Sequence, residues 1–298
     1  VIANVTYDKA KNYAYRVNPA TGEKRSSSVE RETVRTYVQD KIHLTDKWDL
    51  TPSLRYSHYS DYKESTGGNS AGNTNDFNYS LNTEYMFNDK VGMYLGWTKV
   101  FRPLRQGDYT TTDYVFNAPL KDEEGNVYTF GIHYDISDRT TVALHYDWTK
   151  MKNAIATLPV LDPNSGDFLS TPINAKEDKQ SINLTLDHQL NKHVTLSASY
   201  SHMKDKWKSK DGWTLGPESG WDPDDINTGI NHLRPQNHYA LNVSYENARF
   251  YTGLLLNYYT GCSGLAFTDN RFLILDWNAN YEFANGITAY VTVGNLTN

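Results

Sequence analysis

The 298 residues carry a formal net charge of -6, a pI near 5.8 and a mean hydropathy of -0.68, which leaves no basic face to track phosphates and excludes nucleic acid as a partner. Tyr 23 and Trp 7 are high for so polar a chain, a combination that suits strands oily on one face. No run nears the roughly 18 consecutive apolar residues of a membrane helix, and the single Cys262 excludes an internal disulfide, lacks zinc-site spacing and reads as a small loop residue.

Taken in chain order, strand-like segments fall near 2–10, 32–44, 48–60, 76–87, 91–101, 127–136, 140–151, 178–189, 193–204, 237–246, 249–259, 271–283 and 286–296, about thirteen in all with edges good to a few residues. In 48–60, Trp48, Leu50, Pro52, Leu54 and Tyr56 share one side and Asp49, Thr51, Ser53, Arg55 and Ser57 the other. The same alternation returns at Val194, Leu196, Ala198 and Tyr200, and at Tyr239, Leu241, Val243 and Tyr245. The polar faces, such as Asn78, Ser80, Asn82 and Glu84 or Asp276, Asn278, Asn280 and Glu282, are costly to bury dry and call for water.

The connections alternate between short and long. The short ones lie at Thr45-Asp46-Lys47, Asn88-Asp89-Lys90, Ser137-Asp138-Arg139, Asn191-Lys192, Asn247-Ala248 and Ala284-Asn285-Gly286, residues suited to tight hairpins. The long ones lie near 11–31, 61–75, 102–126, 152–177, 205–236 and 260–270, and within them Asn18 to Glu23 and Asp162 to Asp167 read as turns closed by a glycine with positive φ. In an up-and-down sheet this puts every long loop at one rim, the arrangement of outer-membrane barrels. Trp48, Phe87 and Phe283 beside short turns, and Trp97, Trp148 and Tyr258 toward long loops, read as two interfacial girdles. A soluble sandwich would need a second sheet to cover these oily faces and Greek-key wiring. The expected fold is all-β, an antiparallel transmembrane β-barrel.

Four stretches carry a family likeness: Tyr37 to Ile42 running to Leu54-Arg55-Tyr56; Tyr94 to Arg102-Pro103; Asn117-Ala118-Pro119-Leu120-Lys121-Asp122-Glu123 leading to Tyr128-Thr129-Phe130-Gly131; and Val293-Gly294-Asn295-Leu296. In order and spacing the chain resembles the translocation barrel of a TonB-dependent outer-membrane receptor. The resemblance implies a barrel of about 22 strands, an N-terminal plug that TonB rearranges, and ligand pockets shared between loops and plug. Residues 1–298 are then expected to be the C-terminal portion of the barrel, about thirteen strands, without the plug, the first strands or a closing strand. The start at Val1, with neither initiating methionine nor signal peptide, fits a mature product or an excised piece. The chain departs from the family where Arg102 and Pro103 adjoin without the usual alanine and where Asp122 replaces a proline. The stretch Leu104 to Phe116 lacks the histidine common in haem receptors, which favours ferric siderophores.

Arg102, Arg105, Tyr109 and Tyr114 are therefore candidate ligand-binding residues, with a loop-packing role as the alternative. The loop 205–236 adds Trp207, Trp213 and Trp221 among Lys204, Lys206, Lys208 and Lys210. Indole faces and ammonium groups there would grip an anionic aromatic chelate such as a catecholate, unless the aromatics only pack the loop. His133, His145, His188 and His238 sit at polar parity, which a watery lumen explains without metal. Asp222, Asp224 and Asp225, like Asp162 and Asp167, lack calcium-loop spacing and read as solvated acids. No Ser/His/Asp order, phosphate cradle or close carboxylate pair appears, so neither enzymatic activity nor a cofactor is expected. The expected function is TonB-dependent uptake of a ferric siderophore or similar complex across a Gram-negative outer membrane, with lipid, TonB (through the plug) and the iron chelate as partners. A barrel enzyme or adhesin, and a soluble β-rich binding module, are the rival readings.

Overall fold

A strand that is oily on alternate residues is stable only where that face leaves water, against either a second layer or lipid. The structure, a computed structural model, describes residues 1–18, 21–64, 72–104, 120–161, 166, 168–209, 235–262 and 267–297. Its strands are β1 (Ile2–Val17), β2 (Lys24–Gln39), β3 (Ile42–Thr45), β4 (Trp48–Tyr59), β5 (Lys63–Glu64), β6 (Thr74–Asn88), β7 (Val91–Arg102), β8 (Glu123–Ser137), β9 (Thr140–Leu161), β10 (Phe168–Gln189), β11 (Val194–Ser209), β12 (Asn237–Glu246), β13 (Phe250–Thr260), β14 (Arg271–Glu282) and β15 (Thr288–Val293). Apart from the short β3 and β5, which pair with β4 and β2, all follow one antiparallel path in chain order. Among the described residues there is no helix, and β1 and β15 do not pair, so the sheet is a partial barrel wall.

Substantial contact runs only between strands adjacent in the sheet, so no second layer covers the apolar face and the sandwich alternative falls. Leu54, Leu184 and Leu254 stay 40%, 45% and 41% exposed, an apolar surface of this extent being a partner or membrane surface. The register lines up that face as continuous rows: Ala198 opposite Leu241, Leu241 opposite Leu256, and Leu256 opposite Leu275. Two aromatic belts bound it. Toward the long connections Tyr79 meets Trp97 at 5.0 Å between ring centroids, Tyr128 meets Trp148 at 5.6 Å, and Tyr200 meets Tyr239 at 4.8 Å. At the other rim Tyr85 packs on Phe87 at 5.1 Å and Tyr281 on Phe283 at 4.9 Å, while the Trp48 indole donates to Thr83 Oγ1 at 2.7 Å.

The short turns repeat one device. The side-chain oxygens of Asn88, Asn191 and Asn247 each accept two backbone N–H groups, those of Lys90 and Val91, His193 and Val194, and Arg249 and Phe250. This local bonding explains why asparagine recurs there. At the opposite rim the turn at Asn18 to Glu23 closes as read from sequence, the Gly22 N–H bonding the Asn18 carbonyl at 2.8 Å; Gly22 and Gly166 have φ of 68° and 74°, a conformation that a Cβ disfavours.

Three sequence expectations are corrected. The segments 11–31 and 152–177 are not open connections: β1 and β2 continue pairing to Val17 opposite Lys24, and β9 and β10 to Leu161 opposite Phe168. Beyond the bilayer both faces meet water, so pairing continues without the period-two signal. The expected strand 32–44 is interrupted between β2 and β3 at Asp40 and Lys41, with the Asp40 N–H still reaching the Pro52 carbonyl at 3.2 Å. His188 does not face the lumen. It lies opposite Leu196 and Thr140 on the outer parity, where its Nδ1 meets Thr140 Oγ1 at 2.8 Å beside the short turn, at a hydrated rim that tolerates a polar ring.

Candidate functional site

The inner parity of the wall is polar, as the alternation requires. Asp147 accepts from Thr129 Oγ1 at 2.9 Å and meets His145 Nε2 at 2.6 Å, and His145 also bonds Tyr94. Gly131, next to Tyr94 across the strands, leaves the space that the Tyr94 ring occupies. Further toward the long connections, Ser57 Oγ, Asp76 Oδ2 and both amide atoms of Asn78 are buried with no partner among the described residues. Polar atoms in that state call for water or another molecule.

Above this row β1, β2, β4 and the end of β7 enclose a cavity of about 780 Å³ lined by Arg31, Arg35, Arg102, Tyr59 and Tyr62. Arg31 is its centre. Its Nε donates to the Ser60 carbonyl at 3.0 Å and Nη1 to the Leu104 carbonyl at 2.9 Å, and the guanidinium lies 5.1 Å from the Tyr59 ring centroid and 4.5 Å from that of Tyr62. At 7% exposure its Nη2 is buried without a partner, and no carboxylate neutralises it among the described residues. A buried cation held only by carbonyls and π-faces carries a large desolvation cost. The other two arginines differ: Arg35 pairs with Asp8 at 2.8 Å, and Arg102 is ion-paired with Glu123.

The mouth of this cavity is clamped. Asp122, the residue that departs from the family pattern, accepts from the Leu104 N–H at 2.8 Å and from Thr74 Oγ1 at 2.7 Å, tying together the two ends of the stretch 105–119. Glu123 accepts the Ile155 N–H at 2.6 Å, and Asn174 brackets Lys121 through its N–H at 2.7 Å and its carbonyl at 2.9 Å. Asp122→Ala is expected to leave the barrel intact and destabilise this rim by about 1–3 kcal/mol, the cost of orphaning a buried donor. Limited proteolysis within 105–119 should then speed up severalfold while the thermal midpoint of the sheet holds.

Of the candidates from sequence, Arg102 lines the cavity. Arg105, Tyr109, Tyr114, Trp213 and Trp221 lie outside the described residues, as do Asp222, Asp224 and Asp225. Trp207 belongs to β11 rather than to a loop, and it is buried opposite Glu177 on the inner parity. Lys204, Lys206 and Lys208 alternate with it and point outward, so strand geometry separates the indole from the ammonium groups it was grouped with. Arg31, Arg35, Tyr59 and Tyr62 were missed. A reading of 11–31 as an open connection hides Arg31, whose available signal is its inward parity with Thr33 and Arg35 once β2 is extended. Among the described residues no three His, Cys, Asp or Glu side chains converge as a metal site.

An antiparallel wall with a lipid-type outer face, two aromatic belts and a water-lined inner face defines a transmembrane β-barrel of the receptor or channel class. A family model described as TonB dependent receptor-like, beta-barrel matches residues 2–296, and the chain belongs to that family. An uncharacterized TonB-dependent receptor of Haemophilus influenzae is 24% identical over 181 residues, covering 59% of this chain and 49% of the relative. Among solved structures, the siderophore receptor PiuA from Acinetobacter baumannii matches at TM-score 0.67 and 16% identity over 92% of this chain and 40% of that one. The copper transporter OprC matches at 0.71 and 12% over 99% and 49%. The pyoverdine-bound receptor FpvA from Pseudomonas aeruginosa PAO1 matches at 0.68 and 16% over 91% and 39%. The chain spans about half or less of the length of these relatives, and likeness at such identities shows the fold.

Proposed function

We propose that residues 1–298 form the C-terminal portion of the barrel of an outer-membrane receptor that imports a scarce anionic nutrient complex, a ferric siderophore foremost, by TonB-dependent transport. The remaining strands and a plug would come from sequence outside 1–298, and the plug would carry the contact with TonB. The observation that carries this reading is Arg31, a buried guanidinium in an aromatic-flanked lumen cavity with no countercharge among the described residues. A carboxylate, catecholate or hydroxamate oxygen of an incoming chelate supplies that charge. Arg35 and Arg102 line the same cavity, and Arg105, Tyr109, Tyr114, Trp213 and Trp221 stay candidate ligand contacts in this reading, together with Trp207 on β11.

The test is growth of a strain lacking the whole gene on ferric catecholate, ferric hydroxamate or ferric citrate as sole iron source, with and without TonB. Loss of growth on one chelate, restored by the gene only when TonB is present, is the expected result. Dependence on copper or cobalamin instead would keep the transporter class and replace the cargo. Unchanged growth under every such limitation would remove the uptake reading.

A further inference from the structure

On the inner wall, below the Arg31 cavity, three side chains from β7 and β9 form one connected chain. Tyr94 of β7, Gly131 of β8 and His145 of β9 are in direct register, and Asp147 follows His145 by two residues on the same face of β9. His145 Nε2 meets Asp147 Oδ2 at 2.6 Å, Thr129 Oγ1 donates to the other carboxylate oxygen at 2.9 Å, and the Tyr94 hydroxyl bonds His145 Nδ1. A Cβ at Gly131 would collide with the Tyr94 ring and its hydroxyl, so the glycine is what lets the phenol cross β8 and reach β9.

The order of donors fixes the protons. An ionised Asp147 only accepts, so Nε2 carries the imidazole proton and donates it, which leaves Nδ1 to accept the Tyr94 O–H. A histidine that gives one N–H to a carboxylate and presents its other nitrogen is the arrangement of a metal ligand held by its outer partner. Here the phenol oxygen converges on that same nitrogen. His238, also on the inner parity, is built differently: it meets the Asn257 amide oxygen at 2.8 Å and stacks on Tyr259. Tyrosine thus adds, beside His145, the donor that His, Cys, Asp and Glu do not supply as a set among the described residues.

Two ligand bonds of about 2.0–2.1 Å at a right angle set their nitrogen and oxygen about 2.9 Å apart, so a small rotation of the phenol replaces the shared proton with a metal ion. The phenolic proton passes to lumen water as the oxygen–metal bond forms, and no oxidation state changes. His145 and Asp147 keep 37% and 31% of their side-chain surface open, which lets water fill the remaining positions. A phenolate is a hard anionic donor and a carboxylate-backed imidazole a borderline one, a pair that suits ferric ion and neither copper(I) nor calcium. We infer that Tyr94 and His145, with Asp147 behind the imidazole, form a ferric-ion site inside the lumen. Leu144, in register with Ile132 and Leu184 on the outer parity, sets its height at the apolar band, within the passage and apart from the Arg31 cavity. The site needs the water-filled lumen of the receptor reading, whichever chelate enters it.

The test titrates the full-length receptor in detergent micelles with ferric nitrilotriacetate, reading the visible charge-transfer band of iron-bound phenolate and the iron retained after gel filtration. Wild type should show the band. Tyr94→Phe should lose it and hold iron about tenfold or more weakly, while Asp147→Asn should keep the band and bind about 10–100-fold more weakly, the usual worth of an outer partner. Gly131→Ala leaves every donor in the chain yet should lose the band, because the phenol no longer reaches β9. His238→Gln should bind as wild type does. Absence of the band in wild type, a Tyr94→Phe variant that keeps band and affinity, or tighter binding of zinc or copper(II) than of iron overturns the inference. Should Gly131→Ala not assemble, the conservative Tyr94→Phe decides alone. No transport is measured, so failure of the growth test above and failure of this site are separate results.

Discussion

Leu241→Arg is expected to destabilise the inserted barrel by about 2–4 kcal/mol, whereas Asn242→Arg, one residue on, should cost less than about 1 kcal/mol. Leu241 lies between Ala198 and Leu256 on the outer parity, and Asn242 between Ser197 and Leu255 on the inner one. At mid-wall a guanidinium on the first must enter hydrocarbon, while on the second it meets the lumen, with Asp276 in register beyond Leu255. Reversible denaturant unfolding in lipid micelles measures both. Equal costs would show that the two faces see the same solvent, and the membrane account of the fold would be lost.

Arg31→Met should separate binding from stability. The two hydrogen bonds to the Ser60 and Leu104 carbonyls are each worth about 1.5–3 kcal/mol from a charged donor. Their loss is offset by release of a guanidinium whose burial costs several kcal/mol, so the thermal midpoint should change little. Uptake of the cognate chelate by the whole receptor should instead fall about a hundredfold, since removing one partner of a buried charge pair costs about 2–5 kcal/mol of affinity. Arg35→Met, whose charge Asp8 already meets, should weaken uptake far less. If both arginines matter equally, or if Arg31→Met unfolds the rim without touching affinity, Arg31 is a strut and not a ligand contact.

Legibility from sequence tracked the solvent. Strands such as β4, β7, β12 and β13 appear within a residue or two of where alternation put them, because there each side chain faces either lipid or water and the period of two is enforced. The outer halves of β1, β2, β9 and β10, wet on both sides, carry no such pattern and read as loops in sequence. The placement of Arg31 in a connection rather than a strand followed from that, and the cavity it centres went unseen. Arg102 was found through a local motif and does line the cavity.

The amino-acid order by itself determined the number of spanning strands, the parity of each and the rim at which the long connections gather, since those depend on neighbours one and two residues away. Only the tertiary structure decided which charges meet which partners. The groups that hold Arg31 lie 29 and 73 residues along the chain, and the lysines grouped with Trp207 in sequence stand across the wall from it. Strand register, set by pairing along the whole sheet, makes the first set neighbours and keeps the second apart.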